Sequence, residues 1–177
     1  MKILVISDTH GKIDNAISAI EEIYKGCIDM IIHCGDYVTD ARLIEKRYPN
    51  IKMYYVYGNC DTGFGGSNYE VVEADGVNIF ITHGHRYGVK WGEYDDVAND
   101  AASLDCEIAI CGHSHIAHMG NEDGVWTMNP GSITLPRDSK YPSYGILNIV
   151  DGELLEMSIW QFKNGEKAVL HPINNQL

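Results

Sequence analysis

Apolar residues along this 177-residue chain come in short unbroken runs. Ile3–Ile6, Met30–Ile32 and Ile108–Cys111 are the clearest, with Met53–Val56 and Val77–Ile81 beside them. A strand covered on both faces reads this way. Between the first two runs, Ile13, Ala16, Ile17, Ile20 and Ile23 recur at helical steps, with Asp14 as a cap and Gly26 as a stop. A second helix is expected from Asp40 to Tyr48, ended by Pro49. A third is expected from Glu93 to Leu104, with Tyr94, Val97, Ala98 and Ala101 on one face. This rhythm predicts right-handed crossovers and a largely parallel sheet.

The second half reads differently. Tyr69–Ala74 and Val77–Thr82 flank Asp75-Gly76, a strong two-residue hairpin turn. Val125–Met128, Tyr144–Val150 and Leu154–Trp160 are strand-like, and Asp151-Gly152 is a second hairpin signal. Parallel units and antiparallel hairpins in one chain fit two sheets packed face to face with helices outside. Gly63-Phe64-Gly65-Gly66 reads as a mobile loop, not a domain boundary.

Polar residues at the ends of the apolar runs carry the chemistry. Five runs end in Ser7-Asp8-Thr9-His10-Gly11, His33-Cys34-Gly35-Asp36, Gly58-Asn59-Cys60-Asp61, His83-Gly84-His85 and Gly112-His113-Ser114-His115. All five lie on the C-terminal side of their strands, the rim where open α/β sheets bind ligands. Asp8, His10, Asp36, Asn59, His83, His113 and His115 offer oxygen and nitrogen donors with no required thiolate. Such a set suits manganese, iron, nickel, cobalt or zinc. Seven donors exceed what one tetrahedral ion takes, and two ions sharing a carboxylate would use them well. Two divalent ions, two carboxylates and a bridging hydroxide sum to one positive charge, matched to a phosphodiester.

Composition narrows the partners. Thirteen basic and 25 acidic side chains give a net charge of −12. That balance argues against an extended nucleic-acid surface and against docking on anionic lipid. No apolar run approaches the ~20 residues that span a bilayer. No signal peptide is read at the N-terminus. Five cysteines without a C-x-x-C pair fit a reduced, cytoplasmic protein. Cys34 and Cys111 read as core filler, and Trp91, Trp126 and Trp160 as core or interface anchors. Self-association into a homo-oligomer is left open.

Asp8-x-His10, Gly35-Asp36, Gly58-Asn59-x-Asp61, His83-Gly84 and Gly112-His113-Ser114-His115, in that order, resemble the calcineurin-like metallophosphoesterases. Asn129-Pro130-Gly131-Ser132, followed by Leu135-Pro136-Arg137, is similar to the small bacterial and archaeal branch typified by the YfcE phosphodiesterase. The likeness runs from residue 2 to about residue 160. It implies an α/β fold, a four-layer αββα sandwich of two mixed β-sheets flanked by helices. One domain over residues 1–177 would carry a dimetal site at the C-terminal ends of the strands.

The resemblance further implies that Asp8, His10, Asp36 and His115 hold a first divalent ion. Asp36, Asn59, His83 and His113 would hold a second, with Asp36 bridging. Manganese is the first expectation, with nickel, iron, zinc and cobalt as alternatives. The implied reaction is hydrolysis of a small phosphate ester, a diester first, by a hydroxide activated between the metals. Asp36, Asn59 and Cys60 are the candidate catalytic residues, and His85 and Arg86 the candidate substrate contacts, with Lys90 and Arg137 as further phosphate contacts. Where much of the superfamily has an acid histidine, this chain has Cys60. The alternative is a non-catalytic metal-binding scaffold for protein interaction, like the retromer subunit of the same fold.

Overall fold

The computed structural model describes residues 1–61, 67–163 and 166–174, so the Gly63–Gly66 loop lies outside the described residues. The strands are β1 (Lys2–Ile6), β2 (Met30–His33), β3 (Lys52–Tyr55), β4 (Tyr69–Ala74), β5 (Val77–Thr82) and β6 (Ile108–Ile110). They continue with β7 (Ala117–Glu122), β8 (Val125–Pro130), β9 (Ser143–Val150), β10 (Glu153–Lys163) and β11 (Glu166–Asn174). The helices are α1 (Asp14–Ser18), α2 (Val38–Arg47) and α3 (Asp95–Ser103).

One sheet has six strands in the order β11-β10-β9-β1-β2-β3, and the other has five in the order β4-β5-β6-β8-β7. The first has parallel strands β1-β2-β3 at one edge with antiparallel strands on the β1 side, and the second has a parallel centre, β5-β6-β8, with an antiparallel strand on each side. Both sheets are therefore mixed, as expected. Both predicted hairpins form, with Ala74 facing Val77 and Val150 facing Glu153.

Side-chain alternation along the buried strands sorts the apolar residues into three layers. Ile3, Val5, Met30 and Ile32 meet Ile79, Ile81, Ile108 and Ile110 between the sheets. Leu4, Ile6 and Ile31 turn the other way, onto Ala16, Ala19, Ile20 and Ile44 of the first two helical segments. Phe80 and Ala109 pack on Val97, Ala98 and Ala101 of α3. The order is helices, sheet, sheet, helix: the αββα sandwich. Unbroken apolar runs are what such strands need, because both faces are covered.

Several local expectations change. The first helix is short, and at Ala19–Ile23 it widens into a π-helical turn, with Tyr24 N–H donating to Ala19 C=O. Asp14 is its first residue and not its cap, while Gly26 does end the segment at φ +78°. Helix α2 starts at Val38, earlier than Asp40. Strands β7 and β11 were not anticipated. Trp91 is 83% exposed on a 3-10 turn (Gly88–Trp91), so it is no core anchor, whereas Trp126 and Trp160 are partly buried against the cores. Among the described residues, no helix is long and apolar enough to cross a membrane.

Candidate metal centre

The rim clusters fold as sharp turns off buried strands. Asp8, His10, Asp36, His113 and His115 hold positive φ angles of 56°, 48°, 58°, 66° and 58°. That left-handed region is uncommon for residues other than glycine, and Asp and His are among those that tolerate it. Five of the seven candidate ligands share this strain, which clusters characteristically at functional sites.

Their polar atoms converge on common space. His115 Nε2 lies 3.2 Å from Asp8 Oδ1, and His83 Nε2 lies 3.3 Å from Asp36 Oδ1. Neither approach has hydrogen-bond geometry, and Asp8 Oδ1 and His83 Nε2 are buried without a hydrogen-bond partner. His10 Nε2 sits 3.2 Å from His115 Nε2, 3.8 Å from Asp36 Oδ2 and 3.9 Å from Asp8 Oδ1. Three groups bring their ligand atoms within 4.8 Å of each other: Asp8–His10–His115, Asp8–Asp36–His83 and His10–Asp36–Cys60. Asp8, His10 and Asp36 each belong to two of them. His113 borders the second group and Asn59 the third. The His113 ring centroid is 5.0 Å from that of His83, and the exposed Asn59 amide donates to Cys60 Sγ at 3.5 Å.

The surroundings aim these atoms. His83 Nδ1–H donates to Cys34 C=O at 2.7 Å, and His115 Nδ1–H donates to Leu135 C=O at 2.7 Å. Each bond fixes the tautomer and leaves Nε2 with its lone pair toward the site. Asp8 Oδ2 accepts from Ser7 Oγ at 2.6 Å and from His113 N–H at 3.0 Å, which reserves Oδ1. Gly112 and Gly58 permit the close approach. A Cβ on Gly112 would overlap Ser7 Oγ, and one on Gly58 would overlap Asp36 Oδ1.

Four residues prove more structural in their contacts than the sequence alone conveyed. Asp61 accepts from Val38 N–H at 2.7 Å and Gly58 N–H at 2.9 Å, so it caps α2 from outside and ties two ligand loops together. Asp40 does not cap α2; it accepts Gly11 N–H at 2.8 Å and anchors the first ligand loop. Asn129 is fully buried. It donates to Gly112 C=O at 2.7 Å and Ser114 Oγ at 3.0 Å, and accepts from Gly131 N–H at 3.0 Å. Ser132 Oγ donates to Asp8 C=O at 2.9 Å. The Asn129–Ser132 segment is thus a buttress and not a mere turn. His118 lies on β7, stacked on Tyr94 with 3.7 Å between ring centroids.

Charge follows the geometry. Burial alone would raise the Asp8 pKa, but His115, His83 and Ser7 outweigh it and hold the carboxyl below its ordinary range. Burial opposes charge on His115, yet Asp8 beside it raises the imidazole above its usual value. Burial, with the charges of His83 and Lys90, pushes His113 down to about 4, which leaves it neutral and able to ligate at pH 7. Arg86 and Arg137 press likewise on His85 and His115. Each of these three cations thus acts on one histidine of the site in a chain of charge −12. His85 stands beside His83, 5.4 Å between centroids, with Nδ1 buried and unpaired. Arg86 is exposed and lines a cavity of about 370 Å³ with Tyr69, Tyr87 and Asp100.

The donors present fit divalent metals. Buried carboxylate and imidazole atoms without partners, each aimed by a second hydrogen bond, are costly unless an ion completes them. A metal centre at the shared rim of a two-sheet sandwich defines the class of protein. The chain belongs to the calcineurin-like phosphoesterase superfamily, whose domain pattern matches residues 1–152. It is 35% identical over 150 residues to the probable metallophosphoesterase YsnB of Bacillus subtilis, covering 84% of this chain and 85% of that one. It is 31% identical to a phosphodiesterase of Methanocaldococcus jannaschii, over 74% and 83% of the two chains. Identity to phosphodiesterase YfcE of Escherichia coli is 22%, over 84% and 88%. Zinc-complexed Vps29 of Entamoeba histolytica superposes with a TM-score of 0.75 at 25% identity, covering 98% of this chain and 99% of that one.

Proposed function

We propose that this chain is a metal-dependent phosphodiesterase, a single domain that hydrolyses P–O bonds of small phosphate esters in the cytoplasm. The observation that carries the reading is the convergence of Asp8, His10, His115, Asp36 and His83, with Asp8 Oδ1 and His83 Nε2 buried and unpaired. Asp8, His10, Asp36 and His115 would hold one divalent ion, and Asp36, Asn59, His83 and His113 the other. Manganese is the metal proposed first, with nickel, iron, zinc and cobalt as alternatives for these nitrogen and oxygen donors. When bound, such ions supply Lewis-acid charge to a phosphoryl group and acidify water.

The chain's own residues set the rest. Arg86, Lys90 and Arg137 give the rim positive charge for an anionic ester. His85, beside His83 at the rim, is the proposed contact to that ester. Cys60 is a poor acid: burial and the neighbouring Asp36 push its thiol up to about 11. A weakly acidic thiol at that position favours aryl over alkyl esters as substrates. Phosphodiesterase-named relatives and the full set of family ligands support catalysis over a scaffold role.

The test is turnover by metal-reconstituted protein of an aryl diester, an aryl monoester and a cyclic nucleotide, with Asp36→Asn as control. The aryl diester is expected to turn over fastest, and Asp36→Asn to lose about 10²-fold or more. Absence of turnover with every metal overturns the hydrolase reading in favour of the scaffold. Turnover surviving Asp36→Asn overturns the bridge.

A further inference from the structure

The cavity of about 370 Å³ lined by Arg86 has the volume of a small organic group's seat. Its position follows from one turn. Tyr87 N–H donates to Gly84 C=O at 3.0 Å, so His83, Arg86 and Tyr87 share a tight loop. His83 stands at the ligand rim, while Arg86 and Tyr87 are on the cavity wall. Across the sheet, Tyr69 pairs with Thr82, the residue before His83. Tyr57 N–H donates to Ser67 C=O at 3.2 Å, which ties the Asn59 loop to the start of β4. The cavity therefore adjoins both segments that carry the second ion's candidate ligands. Its wall is aromatic. Tyr69 is 48% exposed yet braced, since its ring stacks on buried Phe80 with 5.4 Å between centroids. The Tyr87 hydroxyl donates to Asp100 Oδ2 at 2.6 Å, which fixes the second ring.

We propose that this cavity seats the organic group that stays on phosphorus when the diester is cleaved, and that this group is a planar heteroaromatic ring of the nucleobase kind. The inference rests on the hydrolase reading above. Two phenol rings and a guanidinium plane are surfaces on which flat aromatic groups stack. One arginine and one aspartate leave the wall close to neutral, so it favours an uncharged ring over a second phosphate. The Asn68 amide adds a donor and an acceptor for the edge of that ring. Such a seat makes a discrimination that the metal ligands cannot, because every diester presents the same phosphoryl group to them. Contacts to the retained group are made equally in the ground and transition states, so they appear in KM and not in kcat.

The experiment gives metal-reconstituted protein three esters of p-nitrophenyl phosphate: the methyl, the cyclohexylmethyl and the thymidine 5′ ester. All release the same p-nitrophenolate, so only the retained group differs. The thymidine ester should show a KM about tenfold below both others, with kcat little changed. Tyr69→Phe should keep that gap, and Tyr69→Ala should close it. Calorimetry reads the seat without turnover: metal-loaded wild type should bind thymidine 5′-monophosphate about tenfold more tightly than metal-loaded Tyr69→Ala. Equal KM for the thymidine and cyclohexylmethyl esters, or a gap that survives Tyr69→Ala, overturns the seat while the hydrolase stands. If no ester turns over with any metal, the hydrolase reading falls, and equal affinities in calorimetry then overturn the seat as well.

Discussion

His33 offers a sharp test of how the ligand loops are held. It ends β2, is fully buried, and joins two of those loops. Its Nδ1 accepts Gly35 N–H at 3.2 Å, so the ring must be neutral with its proton on Nε2, which faces Thr9 Oγ1 at 3.1 Å. Thr9 Oγ1 in turn donates to Asp36 C=O at 3.4 Å. Burial pushes the His33 pKa from 6.5 down to about 4, against the attraction of Asp8, Asp40 and Asp61. The unfolded chain therefore binds a proton at this residue below 6.5 that the folded chain refuses until about 4. Stability contributed here is intact above 6.5 and falls as pH drops through that window. The full step corresponds to about 3 kcal/mol, of which about 2 kcal/mol is lost by pH 5.

Glutamine at position 33 cannot titrate, so His33→Gln removes the slope whatever it does to the offset. Urea denaturation of the chelated protein from pH 8 to pH 5 reads it out. Wild-type stability minus variant stability should fall by about 2 kcal/mol across that range. Because Asp8, His113 and His115 are common to both proteins, their titrations cancel in the difference. Parallel stability curves would refute the buried neutral imidazole.

Asn129→Ala leaves Gly112 C=O, Ser114 Oγ and Gly131 N–H without this partner in a buried place, and should cost about 3 kcal/mol in denaturant melts. Gly112→Ala forces Ser7 Oγ and Asp8 aside, so metal affinity by calorimetry should drop about tenfold or more while the circular dichroism stays folded. Cys60→His returns an imidazole acid and should raise alkyl-ester turnover by about 10²-fold with little change for aryl esters. A fixed aryl-to-alkyl ratio would show that leaving-group protonation is not what limits alkyl substrates.

The fold was legible where burial was two-sided. Ile3–Ile6 and Met30–Ile32 read as strands because both faces need apolar cover, and their alternate residues then sorted into separate layers. The ligand clusters were legible for the opposite reason: Asp and His do not follow a buried strand without a task. What was missed lies at edges or depends on distance. Strand β7, Ala-His-Met-Gly-Asn-Glu, is a half-exposed edge with no apolar period to read. Asp40 and Asp61 act at long range, since their partners Gly11 and Val38 are 29 and 23 residues away. Asn129 sits in a Pro-Gly context that signals a turn, and only its burial shows that it braces Gly112 and Ser114.

The strained ligands bear on whether a metal belongs here at all. Five residues with positive φ, at about 1 kcal/mol each, store about 5 kcal/mol, comparable with the whole stability of a small domain. Unpaired Asp8 Oδ1 and His83 Nε2 add to that burden. A scaffold that docked partners elsewhere and bound no ion would gain nothing by keeping it. A bound ion offsets it: at about a thousand times its dissociation constant it adds about 4 kcal/mol. For a chain of this size that is about 8–16 °C in Tm. Thermal melts should therefore fall by that margin in chelator and recover when zinc or manganese is returned. Asp36→Asn, which removes the carboxylate shared by two ligand groups, should melt near the chelated wild type and respond weakly to added metal. Equal Tm with and without chelator, in protein shown to have been loaded, would mean that the strain is balanced from within the fold and that these loops were not shaped around a cation.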